Sequence, residues 1–219
     1  MSTLFVTATG TDIGKTYVSA ALIRQLRARG RSVEALKPVL SGYDPAAPAG
    51  SDAAVLLDAL GEPVTAETLD AITPWRYRAP LSPDMAAAQE GTTLPYEAVV
   101  AHCRARMARA RDILLIEGVG GVMVPLAGRL TVLDWLVALQ CPALLVTGSY
   151  LGTLSHTLTA LLALESRGVP LAGIIVNETA GATVGLAETA AALARFTTAP
   201  IRIVPRAAPV PDLAELVTD

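Results

Sequence analysis

Four short segments of this chain, residues 4–6, 113–116, 143–146 and 171–176, contain no polar side chain at all. A strand with one face in water alternates apolar and polar residues. An unbroken apolar run therefore reads as the heart of a strand covered on both faces, and strands are expected at 4–7, 112–116, 142–147 and 171–176. Helical segments lie between these runs. Residues 15–29 set Val18, Leu22 and Leu26 on one side and stop at Gly30, and residues 95–110 repeat the pattern with Val99, Cys103 and Met107. Residues 152–167 space Leu154, Leu158, Leu161, Leu162 and Glu165 by helical turns. Further strands are expected at 32–37, closed by Pro38, and at 200–204. Further helices are expected at 52–60, capped by Ser51, and at 85–89, 131–139 and 183–196. Such alternation predicts an α/β fold: a doubly wound, mainly parallel sheet with right-handed crossovers and helices on both faces. With no internal repeat and no linker, residues 1–219 read as one domain. Residues 61–94 are dense in turn residues and show little periodicity beyond the one short helix.

Composition narrows the function. Hydrophobic residues make up 52 % of the chain, which excludes disorder over most of it. Aromatic residues make up 4 %, which favours alanine-rich helices packed on strands over an aromatic-rich β fold. The 17 basic and 20 acidic residues leave a formal charge of −3, with no basic excess to hold nucleic acid. Cys103 and Cys141 follow no basic-then-apolar leader, so both are expected to be reduced thiols of a cytoplasmic protein. His102 and His156 are too few and too far apart for a histidine zinc site. The uncharged stretch at 135–164 is broken by Pro142, Gly148 and Gly152 into helix, strand and helix, so no membrane span is expected.

Gly14-Lys15-Thr16 stands between the first apolar run and the first helix. At that place backbone N–H groups face an anion and glycine lets the chain approach it closely. Lys15 reaches β- and γ-phosphates, and the Thr16 hydroxyl suits Mg²⁺. The P-loop pattern calls for a glycine where this chain has Thr9, and the glycine is displaced to Gly10. An ordinary strand-to-helix turn with a surface lysine is the alternative. Glu117 follows the 112–116 run at the strand end where open α/β sheets bind ligands, and a glycine-rich loop comes after it. It reads as a metal-binding acid or as a solvated strand-end carboxylate. Asp52 reads as a second such acid or as a helix-start carboxylate stabilised by the dipole.

Thr11-Asp12-Ile13-Gly14-Lys15-Thr16, Lys37-Pro38-Val39 with Ser41-Gly42, and Glu117-Gly118-Val119-Gly120-Gly121 together resemble the dethiobiotin synthetases. Ser51-Asp52-Ala53, Ala88-Gln89-Glu90-Gly91, Asp134-Trp135, Leu151-Gly152 with His156, and Val176-Asn177 extend the resemblance in the family's order to about Pro205. It implies a P-loop NTPase-like fold, ATP and Mg²⁺ as cofactors, and a cytoplasmic homodimer. It also implies a ligase reaction, in which 7,8-diaminononanoate takes up CO₂ as a carbamate. ATP phosphorylates the carbamate, and the second amine closes the ureido ring. Carried over residue by residue, the resemblance makes Lys15 and Lys37 catalytic. It makes Asp12, Ile13, Gly14, Lys15, Thr16, Tyr17, Asp52, Glu117, Gly118, Val119, Gly120 and Asn177 nucleotide-binding, with Thr16, Asp52 and Glu117 on the metal. Thr11, Asp12, Ser41, Gly152 and His156 become substrate contacts, the last two from the partner subunit. In the family's pattern Lys37 holds the carbamate and Asn177 the adenine edge. The residues alone would read as a strand-end lysine and a turn-former.

The chain departs from the family at Ala8, where glycine is usual and strain is expected, at Asp84, where histidine is common, and at Ser155 in place of asparagine. Two other readings share features. A ParA/MinD-like ATPase switch has the same fold but carries a second lysine early in its loop, and residues 7–13 hold none. A small-molecule kinase needs an arginine-rich lid, and residues 40–95 hold only Arg76 and Arg78.

Overall fold

The computed structural model describes residues 2–182 and 184–217. In chain order it runs β1 (Ser2–Ala8), α1 (Lys15–Ala28), β2 (Val33–Leu36), β3 (Val39–Ser41), α2 (Asp52–Leu60), α3 (Ala66–Ile72), β4 (Trp75–Tyr77), α4 (Pro83–Gln89) and α5 (Tyr96–Met107). It continues with β5 (Ile113–Glu117), β6 (Pro125–Ala127), β7 (Leu130–Thr131), α6 (Val132–Leu139), β8 (Ala143–Thr147), α7 (Thr153–Ser166), β9 (Leu171–Asn177), α8 (Leu186–Leu193) and β10 (Ile201–Val204).

Among the described residues six strands form one parallel sheet in the order β10-β9-β8-β1-β5-β2. The apolar runs are its inner strands, as full burial requires: β5 and β8 are buried at every position. Phe5 lies opposite Ile116 on one side and Ala143 on the other, and its ring meets Trp135 edge-on at 4.9 Å. The chain thus starts in the middle of the sheet, and the strand order reverses there. The loop after β1 opens at the crevice where such sheets take their ligands.

Helix ends follow local chemistry. The Ser51 hydroxyl accepts from the Ala54 N–H and caps α2, and Gly30, at φ 77, follows the end of α1. α8 is shorter than the 183–196 segment expected to be helical, and Thr183 lies outside the described residues. Three features were not expected: α3, held by a Thr65–Thr68 capping box, the parallel pair β3–β4, and the antiparallel pair β6–β7.

α7 is buried mainly through small side chains. Its buried face is Thr153, Thr157, Ala160 and Leu164, while Leu162 is 67 % exposed and Leu154 and Glu165 also face out. The threonines can be buried because they bond to one another. Thr147 Oγ1 lies 2.9 Å from Thr153 Oγ1 and 2.7 Å from Thr157 Oγ1, and Thr9 joins the chain at 3.3 Å. A face satisfied in this way packs against the sheet, with Leu158 and Leu161 partly buried beside it and Leu154 and Leu162 exposed. No helix among the described residues is long and apolar enough to cross a membrane.

Candidate active site

The loop from Thr9 to Gly14 is held from several directions. Thr9 N–H donates to the Val146 carbonyl at 3.0 Å, and Val122 N–H to the Ala8 carbonyl at 3.0 Å. From β9, Asn177 Nδ2 donates to the Ile13 carbonyl at 2.9 Å. Gly14 turns the chain into α1 at φ 97, and a Cβ there would stand 2.2 Å from Asn177 Nδ2. Conformation and space both demand glycine. The strain expected at Ala8 is not there: Ala8 is a regular β1 residue opposite Val146. The left-handed non-glycine residue of the loop is Asp12, at φ 55, a residue type whose short polar side chain tolerates that region.

Lys15, the first residue of α1, is 7 % exposed, and its Nζ donates to the Gly10 carbonyl at 3.3 Å. Burial, reinforced by the Lys37 ammonium, pushes its pKa down to about 8. It is a buried ammonium lining the cleft, which an entering anion would stabilise.

Glu117 ends β5 and is fully buried. Its Oε1 accepts from Thr16 Oγ1 at 2.7 Å and from Lys37 Nζ at 2.7 Å. Lys37 Nζ also donates to the Gly118 carbonyl at 3.0 Å and lies 3.0 Å from Asp52 Oδ2. Burial alone would lower the Lys37 pKa, but Glu117 and Asp52 outweigh it and hold it above the ordinary lysine value. Burial would likewise raise the Asp52 pKa, but the Lys37 ammonium and a Thr16 hydrogen bond carry it below the ordinary value. Lys37 is therefore no solvated strand-end lysine, nor is Glu117 a solvated carboxylate.

A cleft of about 700 Å³ opens over this cluster. Thr11, Asp12, Gly14, Lys15, Thr16, Lys37, Ser41, Asp52, Val119 and Gly120 line it, so ten of the expected residues meet in one place. Leu40, Pro80, Leu81 and Val124 complete its wall and were not expected. Leu40 sits on β3, whose three residues are too few to show a period; Pro80 and Leu81 follow β4, and Val124 lies between β5 and β6. Ile13 and Asn177 touch the loop without lining the cleft, and Gly118 contributes its carbonyl to Lys37. Tyr17 is 49 % exposed and lies outside the cleft lining. Gly152 and His156 lie outside the cleft of their own chain, His156 Nδ1 being 2.8 Å from the Tyr150 hydroxyl. Asp84 serves its own turn, accepting from Ser82 Oγ at 2.5 Å and Met85 N–H at 2.8 Å. A second cavity, of about 610 Å³, lies between the C-terminal ends of α7 and α8 and contains none of these residues.

Thr16, Asp52 and Glu117 present oxygen donors of the kind Mg²⁺ takes. Glu117 Oε2 is buried with no hydrogen-bond partner among the described residues. No group of three His, Cys, Asp or Glu forms among those residues. One hydroxyl and two carboxylates suit an ion that takes its remaining ligands from phosphate and water.

Strand order, phosphate loop and lysine–carboxylate cluster define a nucleotide-binding protein of the P-loop class. A family model described as an AAA domain matches residues 2–218. The ATP-dependent dethiobiotin synthetase BioD of Caulobacter sp. (strain K31) is 54 % identical over 208 residues, covering 94 % of this chain and 89 % of that protein. BioD of Methylobacterium nodulans is 53 % identical over 201 residues, covering 89 % of each. The chain belongs to the dethiobiotin synthetase family, ATP-dependent ligases of biotin biosynthesis acting on small molecules. Among solved structures, the septum site-determining protein MinD of Pyrococcus horikoshii, complexed with Mg-ADP, aligns with a TM-score of 0.54 at 17 % identity, covering 93 % of this chain and 81 % of that one. The signal recognition particle receptor FtsY of Elizabethkingia anophelis aligns at 0.56 and 14 % identity over 98 % of this chain, which spans 63 % of the FtsY chain. Those two likenesses concern fold alone, and the MinD-like switch reading reduces to a shared architecture.

Proposed function

We propose that the cleft converts 7,8-diaminononanoate, CO₂ and ATP into dethiobiotin, ADP and phosphate, within one domain spanning the chain. The observation that carries the reading is the convergence of two buried ammonium groups, Lys15 and Lys37, with Thr16, Asp52 and Glu117 at one strand-end cleft. One amine of the substrate takes up CO₂ and becomes a carbamate. Its oxygens carry negative charge, which Lys37 neutralises. Lys15 holds the γ-phosphate against them. Phosphoryl transfer asks for positioning and charge neutralisation more than covalent help. A Mg²⁺ held by Thr16, Asp52 and Glu117 would neutralise the β- and γ-phosphate oxygens. The neighbouring amine then attacks the carbamate carbon, the ureido ring closes, and phosphate leaves. Ser41 offers a hydroxyl in the cleft with no partner among the described residues, suited to a substrate contact. The buried free thiols of Cys103 and Cys141 suit a reducing, cytoplasmic compartment. The direct test is incubation with diaminononanoate, bicarbonate and Mg-ATP. Dethiobiotin is expected in proportion to ADP released, and ADP release without dethiobiotin would overturn the reading.

The proposal includes a homodimer with a shared site. Leu151, just before α7, is 85 % exposed and Leu162, on its outward face, 67 %, and a Cβ on Gly152 at the start of that helix would meet nothing within 4 Å. The free N–H groups of the helix start suit the carboxylate at the far end of the substrate. Lys15→Ala and Gly152→Asp proteins, each inactive alone, are expected to regain part of the activity when mixed and allowed to exchange subunits. No recovery after demonstrated exchange would rule the shared site out.

A further inference from the structure

We propose that Lys37 is an exchangeable internal counter-ion: entry of the divalent cation and release of Lys37 toward the carbamate are one event. The inference rests on the reading of Thr16, Asp52 and Glu117 as metal ligands. An ammonium has three N–H bonds to give. Lys37 directs them at Glu117 Oε1, Asp52 Oδ2 and the Gly118 carbonyl, at 2.7, 3.0 and 3.0 Å. In that arrangement none is left for a substrate. The two carboxylate oxygens are also those a metal would take. The Lys37 side chain is 2 % exposed, so little water screens it. An ammonium and a dication on the same oxygens would stand at a separation where like charges repel strongly.

The surroundings let the exchange proceed. Lys37 carries its charge on a flexible four-carbon stem, and the cleft of about 700 Å³ reaches from it to Ser41 and Gly42. When Oε1 and Oδ2 turn to a metal, Lys37 retains the Gly118 carbonyl and frees two N–H groups for carbamate oxygens. Glu117 Oε2, buried without a hydrogen-bond partner among the described residues, gives the carboxylate a second oxygen to commit. The grip on the carbamate thus follows cation loading, and substrate cannot take Lys37 before the phosphate site is charged.

The test is Mn²⁺ binding to the nucleotide-free protein, read by electron paramagnetic resonance of the unbound ion. Lys37→Gln removes the competing charge and is expected to tighten Mn²⁺ binding roughly tenfold or more. Lys37→Arg keeps the charge and is expected to stay near wild type. Unchanged or weaker binding in Lys37→Gln overturns the inference. Asp52→Asn separates the two layers of the argument. If it leaves Mn²⁺ binding unaltered, the ligand assignment falls and takes the inference with it. If it weakens binding while Lys37→Gln brings no gain, the inference alone falls. Should Lys37→Gln not fold, ¹⁵N-lysine spectra of the wild-type protein decide: Mg²⁺ is expected to shift the Lys37 Nζ signal, and a signal that stays in place overturns the proposal.

Discussion

Replacing Lys15 with alanine is expected to lower ATP turnover by roughly two to three orders of magnitude or more while leaving the chain folded. A single oriented cation on a developing phosphate charge is worth about 3–4 kcal/mol of barrier, and in some phosphoryl transferases more. The cost to the fold is small because, among the described residues, the ammonium hydrogen-bonds the Gly10 carbonyl alone, at 3.3 Å. The pH dependence has a definite sign. Folding lowers the Lys15 pKa from 10.5 to about 8, chiefly by burial, so the folded chain holds its proton less tightly than the unfolded one. The charged group therefore costs stability below about pH 8, and the cost fades as pH rises from there toward 10.5. Lys15→Ala should melt no lower than wild type at pH 7, with any advantage shrinking in alkaline buffer. Thermal melts and an ADP-release assay on the same preparation check both halves. Turnover near wild type would remove Lys15 from the phosphate site.

Glu117→Gln is expected to damage both stability and activity. Lys37 is buried, with Glu117 at 2.7 Å and a half-exposed Asp52 at 3.0 Å. Glutamine keeps the shape and an acceptor but removes the buried negative charge. Breaking a buried pair from one side costs about 3 kcal/mol or more, since the remaining charge stays desolvated. For a chain of this length that amounts to a fall in melting temperature of about 6–12 °C. Asp52→Asn should cost much less, because its carboxylate is 44 % exposed and water can replace part of what is lost. Calorimetry on the two variants provides the comparison. A Glu117→Gln protein melting with wild type would mean that Lys37 does not depend on that carboxylate.

The central strands and the phosphate loop were legible in the chain because their signals are local. Apolar runs mark buried strands, and Gly14-Lys15-Thr16 sits between one of them and a helix. Ser51 as a cap was legible for the same reason. What escaped depends on distant partners. β3 and β4 are three residues each and stand apart from the main sheet, so neither carries a period. α3 announces itself only by Thr65 and Thr68, a capping pair without the usual acidic residue. On α7 the leucine spacing marked a helix but not its buried side, which includes the threonines bonded to Thr147 on β8. Lys37, Asp52 and Glu117 were each picked out, but their mutual contact arises only when α2 and the end of β5 meet. Asn177 could be placed at a strand end, yet its bond to the Ile13 carbonyl spans 164 positions.

The place of β1 in the sheet also bears on how the protein is made. β1 takes its neighbours from residues 113–117 and 143–146, far along the chain, and the loop after it is fastened by Asn177. At bacterial-like synthesis rates of about 5–20 residues per second, the apolar stretch at 4–6 waits on the order of 5–25 s for its first sheet partner. Pairings of this range are slow to form and leave apolar surface open to aggregation meanwhile. A nascent chain stopped short of β9 would have Gly14, Lys15 and Thr16 in place but nothing to clasp the loop. Closure of the loop therefore waits until Asn177 has been made, long after Gly14, Lys15 and Thr16.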